Sequence, residues 1–213
     1  MFTDLFPPPR LARRPRDRHG RLVPWFVAYI DGEPDHRVVK EGAVEDAARF
    51  RICFLCGGGL GAHHTFVLGP MCTINRVSAE PPSHRDCADY AVRSCPFLTH
   101  PQMRRRDNTL PAGVREPDGI MCRRNPGVCA VWTTRAWSKR SDAWLFDLGD
   151  PLHVTWWSRG RRATHEEALD ALVSGRTVLE DEADEDAMPA RAHRLLARQY
   201  ERALTCLPGN VPC

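Results

Sequence analysis

"CFLCGGGLG", residues 53–61, sets two cysteines two residues apart beside three consecutive glycines. The stretch has three readings: a metal knuckle, a redox dithiol, or half of a phosphate loop. A thioredoxin-like pair opens a helix after a strand, whereas glycines follow the second cysteine here. A phosphate loop closes on Gly-Lys followed by Ser or Thr, and no lysine is near. The knuckle reading finds mates downstream in "SHRDC", residues 83–87. Together the two stretches give Cys53-x2-Cys56-x27-His84-x2-Cys87. Each half is a two-ligand clip of the spacing that zinc sites use. Gly57 and Gly58 let the chain wrap back and aim backbone N–H groups at the thiolates.

The second clip reads as the first turn of a helix over Ser83 to Cys95. Ser83 suits the N-cap, and Asp86 three residues on completes a capping-box-like pair. His84 then falls at about N1 and Cys87 at about N4, on one face, where the helix dipole favours thiolate. Between the clips, "HHTFVLGPMCTINRVS" (residues 63–78) reads as two short strands around a Gly69-Pro70 turn.

Knuckle, hairpin and ligand-bearing helix, over roughly residues 50–96, resemble the treble-clef class of zinc fingers. The resemblance implies a structural Zn²⁺ held by Cys53, Cys56, His84 and Cys87. Three thiolates and one neutral imidazole would leave such a site at net −1, and Arg85 and Arg93 are near in sequence. Cys72, Cys95, His63, His64 and His100 compete for places in the shell. The competing account is small buried thiols beside surface histidines. It must treat two clips at ligand spacing as coincidence. Four protein ligands leave no open position for water, so the centre implies folding energy and not metal catalysis.

The arrangement is also similar to HNH-type nucleases. In that resemblance His64 would be the general base and Asn75 its companion, with Asp89 standing in for the third position. The sequence departs from the pattern in two places. Ala62 stands where an acid precedes the histidine, and Ala88 where a His or Asn follows the second clip. A nuclease is therefore the alternative reading. The run "GPMCTINRVSAEPPSHRDCADYAVRSCPFLTHP", with "VPWFVAYIDGEPDHR" upstream, resembles a group of uncharacterised bacterial or phage-encoded proteins over about residues 22–105. That implies one folded unit and adds nothing on function.

Outward from the clips, four segments are expected. Residues 1–21 carry six arginines against Asp17 between Pro7 and Arg21, and read as a mobile basic arm. Residues 22–108 hold an N-terminal hairpin and the zinc module. In the hairpin, "LVPWFVAYI" (22–30) and "HRVVK" (36–40) are strands around "DGEPD"; "GAVEDAARF" (42–50) is a short helix. Residues 109–160 are rich in strands: "VCAVWTTRAW", "AWLFDLG" and "HVTWWSRGR". Residues 161–213 are helical. "THEEALDALVSG" (164–175) has a capping box at Thr164 and Glu167 and a terminating Gly175. The last helix runs from Pro189 to Leu207 and carries an apolar stripe that includes Leu195, Leu196 and Tyr200. The expected fold is α+β: a zinc-stapled hairpin-helix module on a small, mainly antiparallel sheet, with C-terminal helices, compact from residue 22 on.

The bulk composition narrows function little. The 213 residues are 42% hydrophobic and 27% charged, with net charge +3 and pI about 8.4. That is ordinary for a globular chain and too mild to imply nucleic acid by itself. Only Lys40 and Lys139 are lysine. Arginine suits phosphate, but codon bias in a GC-rich genome explains the skew more simply. No apolar run nears 18 residues and no apolar signal core lies between the N-terminal charges and a cleavage site, so the chain is expected in the cytoplasm with reduced thiols. Basic loops at 103–107 and 122–127 join the arm as a possible phosphate-binding stripe; a solvated surface balanced by the acidic 180–186 run is preferred. Cys122 and Cys129, with six residues between them, read as strand thiols and not a second clip; Cys206 and Cys213 read as incidental. Most tryptophans read as core, with an exposed Trp156 or Trp157 as a partner anchor. The leading expectation is a non-enzymatic factor that binds protein or nucleic acid, with no membrane contact.

Overall fold

A computed structural model of the chain describes residues 5–101, 103, 104, 110, 114, 118 and 127–210. Its first element corrects an expectation. Residues 7–21 were expected to bury nothing, yet they fold onto the module. Helix α1 (Pro9–Ala12) starts on Pro9, whose fixed φ suits the first helical position. Leu11 is 3% exposed and packs in one small cluster with Cys53 and Cys87. A bridge between Arg16 and Leu22 then closes a loop around Asp17. The Asp17 carboxylate accepts hydrogen bonds from the backbone N–H groups of His19 and Arg21 and from the Arg21 guanidinium. It also meets His36 Nε2 at 3.3 Å. A single leucine among arginines is invisible to a composition average, but it is what anchors the segment.

Strand β1 (Val27–Ile30) begins five residues later than the apolar run, because Val23 is fully buried and Trp25 N–H is donated to Leu55 O instead. It pairs antiparallel with β2 (Glu33–Val39) around Asp31-Gly32. Both turn residues have positive φ, the backbone a tight two-residue hairpin needs. Helix α2 (Ala43–Phe50) follows as expected and leads into the knuckle.

Between the two clips the expected hairpin does not form. Strand β3 (His64–Leu68) is followed by helix α3 (Pro70–Asn75) and the short β4 (Val77–Ser78). Gly69-Pro70 starts a helix where a turn was expected, since proline at N1 loses nothing by lacking an N–H. Helix α4 (Arg85–Ser94) carries the second clip, and α5 (Pro96–Thr99) ends it. β3 finds its partner in β5 (Cys129–Thr134), far along the chain, with Phe66 opposite Trp132. The later strands are β6 (Trp137–Lys139), β7 (Phe146–Leu148), β8 (Pro151–Ser158) and β9 (Arg161–Arg162). They complete a four-stranded sheet in the order β3-β5-β8-β9 and a three-stranded sheet in the order β4-β7-β6, both antiparallel.

The four-stranded sheet is apolar on both faces, and all six residues of β5 are buried. Phe66, Leu68, Ala130, Trp132 and Trp156 face the main core. Helices α6 (His165–Asp184) and α7 (Pro189–Leu204) cover that side through Ala168, Leu172, Leu196 and Tyr200. Cys129, Val131 and Trp157 face the other way, against Ala88 and Val92 of α4. Trp156 and Trp157 are thus both core residues and not exposed anchors. Of the α7 stripe, Leu196 and Tyr200 are buried while Leu195 is 56% exposed. The described residues form an α+β fold with antiparallel sheets and C-terminal helices.

The capping box at Thr164 and Glu167 is present with both of its bonds. Gly175 does not end the helix: α6 runs nine residues further, to Asp184. A Cβ at position 175 would lie 2.8 Å from the Pro70 Cβ, so this glycine sets the approach of α6 to α3. Gly175→Ala should therefore destabilise the protein by about 1–2 kcal/mol in a denaturant titration, because overpacking outweighs the better helix propensity of alanine. An unchanged or higher midpoint would show that the two helices are free to separate.

The Asp17 carboxyl gives a pH test of the N-terminal fold. Burial alone would raise it, but the Arg21 backbone and guanidinium and the His19 N–H outweigh this and hold it at about 2. A depressed carboxyl contributes stability above its ordinary value of 3.8, and that contribution is lost as pH falls towards 2. Trp25 fluorescence should report loosening in that window, and Asp17→Asn should remove the transition. Identical acid profiles for the two proteins would assign the loosening to other groups.

Candidate metal centre

The knuckle is built by its own backbone. Cys53 N–H is donated to Gly58 O at 2.7 Å, and Gly57 N–H to Cys53 O at 2.8 Å. A bridge between Ile52 and Gly59 closes the loop behind them. Gly57 adopts φ +79°, and a Cβ there would sit 2.5 Å from Trp25 Cδ1. The Lys40 ammonium covers the same indole, 3.7 Å from its ring centroid. The glycine therefore provides both the left-handed turn and the space for the tryptophan.

The second clip is fixed by two backbone ties. Ser83 exchanges both N–H···O bonds with Thr65 of β3, and Phe54 N–H is donated to Pro82 O at 3.1 Å. Ser83 is consequently used as a strand-like residue, and His84 takes the N-cap in extended backbone. α4 starts at Arg85, so Cys87 is its third residue, one position earlier than expected. The two clips still converge. One ligand atom from each of Cys53, Cys56, His84 and Cys87 lies within 4.8 Å of every other. These four could hold a metal ion, and no other group of three or more His, Cys, Asp or Glu side chains among the described residues could.

The donors are oriented as a metal shell would need. Cys56 Sγ lies 3.4 Å from His84 Nδ1. A tetrahedral zinc with S and N ligands would place them about 3.6 Å apart. The other ring nitrogen, Nε2, is 3.0 Å from Gly59 O. Donation there fixes Nδ1 as the free lone pair, the usual arrangement behind a metal-bound histidine. Cys53 Sγ accepts the N–H groups of Cys56 at 3.4 Å and His84 at 3.3 Å, and Cys56 Sγ accepts Gly58 N–H at 3.4 Å. Cys53 and Cys87 are fully buried. Hydrogen bonds from the Cys56 and Cys87 thiols pull Cys53 far below the usual thiol range, against burial. The bond to Cys53 in turn pushes both Cys56 and Cys87 up.

The competing residues lie elsewhere. Cys72 is in α3 against the main core, and burial pushes the Cys95 thiol up at the α4–α5 junction. Burial pushes Cys129 up to about 12. His63 and His100 are exposed. Cys122, Cys213 and most of the two basic loops lie outside the described residues. Arg85 turns away from the sulfurs: its Nε is 3.9 Å from Asp89 and its Nη2 is 3.4 Å from His153 Nε2. The arginines that flank the site come instead from the N-terminal segment. Arg10, Arg13 and Arg14 share an open cleft with Cys56, Gly57 and Gly58. Proline and arginine content conceals that proximity; the spaced Leu11 was the signal.

The residues of the nuclease alternative are not presented as a site. His64 is 1% exposed, edge-on to Trp137, and burial followed by Arg51 lowers its pKa. An imidazole buried in this way does not face an open site. Asn75 ends α3 and accepts Val77 N–H, while Asp89 lies in the second turn of α4. Comparison with protein-family models, curated proteins and solved structures finds no match to this chain. No helix among the described residues is long and apolar enough to cross a membrane.

Gly57→Ala should weaken metal retention by roughly tenfold or more, since a strained φ and the Trp25 contact together cost about 1–3 kcal/mol. Gly59→Ala, where a Cβ meets nothing within 4 Å, serves as the control. Competition against a chromophoric chelator measures both. Equal retention would show that the knuckle does not depend on Gly57.

Proposed function

We propose that Cys53, Cys56, His84 and Cys87 hold one structural Zn²⁺ and that the chain acts as a non-catalytic binding factor for nucleic acid or protein. The observation that carries this reading is the convergence of four ligand atoms within 4.8 Å. Three sulfurs and one imidazole nitrogen suit zinc better than hard cations that select oxygen. All four positions are supplied by protein, which leaves no place for a metal-bound water. The gain is stability. The ion would tie the knuckle, the start of α4 and the packed Leu11 to one point, and it would neutralise the thiolates that otherwise repel one another.

The native protein should contain one zinc per chain by elemental analysis. Chelation, or Cys87→Ser, should lower the thermal midpoint and release the N-terminal segment to proteolysis. A chain that holds no metal, or one whose midpoint is indifferent to its removal, would overturn the reading.

A further inference from the structure

The N-terminal segment concentrates charge next to the candidate centre. From Arg10 to Arg21 there are six arginines against Asp17, a local excess of five on a chain of net charge +3. Among the described residues only two of the six meet a carboxylate. Arg10 reaches Asp86 at 3.4 Å and Arg21 reaches Asp17. Arg14 Nε donates to Val23 O and Arg16 Nη1 to Gly20 O, bonds that hold the side chains without neutralising them. Arg13 and Arg18 are exposed and meet no carboxylate. Among the described residues no ion pair joins the acidic 180–186 run to these arginines; its Glu180 pairs with Arg176 and its Asp184 with His193.

These cations are displayed on a fixed frame. α1 is pinned by Leu11, and Arg10, Arg13 and Arg14 line a cleft of about 270 Å³ that opens over the knuckle. Lys40 stands close enough to Arg14 for the guanidinium to lower its pKa, after burial. It lies over Trp25, which packs on Gly57 at the cleft wall. The unpaired guanidiniums of Arg13 and Arg14 beside Arg10, a lysine and an aromatic ring are the ingredients of phosphodiester recognition. Arginine meets phosphate oxygens in a bidentate fork, and a repeating anion can satisfy several at once.

We propose that the face formed by α1, the Asp17 loop and the knuckle binds the phosphate backbone of nucleic acid, with the α1–knuckle cleft taking one phosphate and the exposed Arg13 and Arg18 its neighbours. The inference deepens the binding-factor reading and rests on it only for the frame that holds α1.

The test is fluorescence anisotropy on the zinc-loaded full chain. The probes are labelled 20-nucleotide single-stranded RNA, single-stranded DNA and duplex DNA, each titrated from 50 to 200 mM salt. Three to four duplex phosphate contacts predict a fall in affinity of about 40–150-fold over that range. The three probes separate the possible sources of the phosphodiester. Arg13→Glu/Arg18→Glu should weaken binding at least tenfold and flatten the salt slope. Arg194→Glu/Arg198→Glu, with the same change of net charge on the exposed face of α7, should stay within about threefold. If the first variant loses metal, Arg13→Gln/Arg18→Gln with retained zinc is read instead. Absence of a complex at 50 mM salt, equal losses in the two charge reversals, or equal competition by polyglutamate would each overturn the assignment. Polyglutamate competition would point to an acidic polypeptide. Elemental analysis of the same sample keeps the two readings apart: zinc present without binding sinks this inference alone.

Discussion

Three thiols and an imidazole crowd within 4.8 Å at the junction of the knuckle and α4, and the N-terminal segment packs on that point through Leu11. Such a group is unfavourable by itself. Its sulfurs cannot all ionise, and two of the residues are fully buried. Backbone N–H groups aimed at Cys53 and Cys56 reduce the cost, and a bound cation would remove it. The surroundings follow from the same requirement. Trp25 and Gly57 shape the knuckle wall, and Leu11 packs with the two buried cysteines. Gly59 O sets the tautomer of His84.

The centre is joined to the rest of the molecule through β3. Ser83 pairs with Thr65, so the second clip is an extension of the four-stranded sheet. That sheet is sandwiched. α4 closes one face through Ala88 and Val92, while α6 and α7 close the other. A helix that carries two of the four ligands thus also covers half of the sheet. Loosening the centre should be felt in the packing of β5, whose six residues are buried throughout. The N-terminal arginines depend on this arrangement, because α1 is held by Leu11 in the apolar cluster over the sulfurs and by the Arg10–Asp86 ion pair to α4.

Much of the site was legible locally. Ligand spacing within each clip is a property of a few consecutive residues, so "CFLC" and "SHRDC" were readable without knowing the fold. The capping box at Thr164 and Glu167 and the helix over residues 43–50 were readable for the same reason. The errors have a common cause. "GPMCTIN" carries enough apolar and β-branched residues to pass for a strand, but Pro70 starts a helix that Gly175 of α6 is spaced to receive. That contact joins positions 105 residues apart in the sequence. Ser83 is a good N-cap in isolation, and it lost that role because Thr65 needed a strand partner.

By itself, then, the sequence determined the four candidate ligands, the α+β class and the periodicity of the C-terminal helices. Each of these rests on patterns within short segments, such as the ligand spacing inside each clip and the apolar periodicity of a helix or strand. The tertiary structure alone decided which strand β3 pairs with, that the arginine-rich start of the chain is folded, and which cations stand beside the cysteines. Those outcomes depend on long-range burial. A single leucine, a proline at N1 or a missing Cβ acquires its meaning only from the surface brought against it.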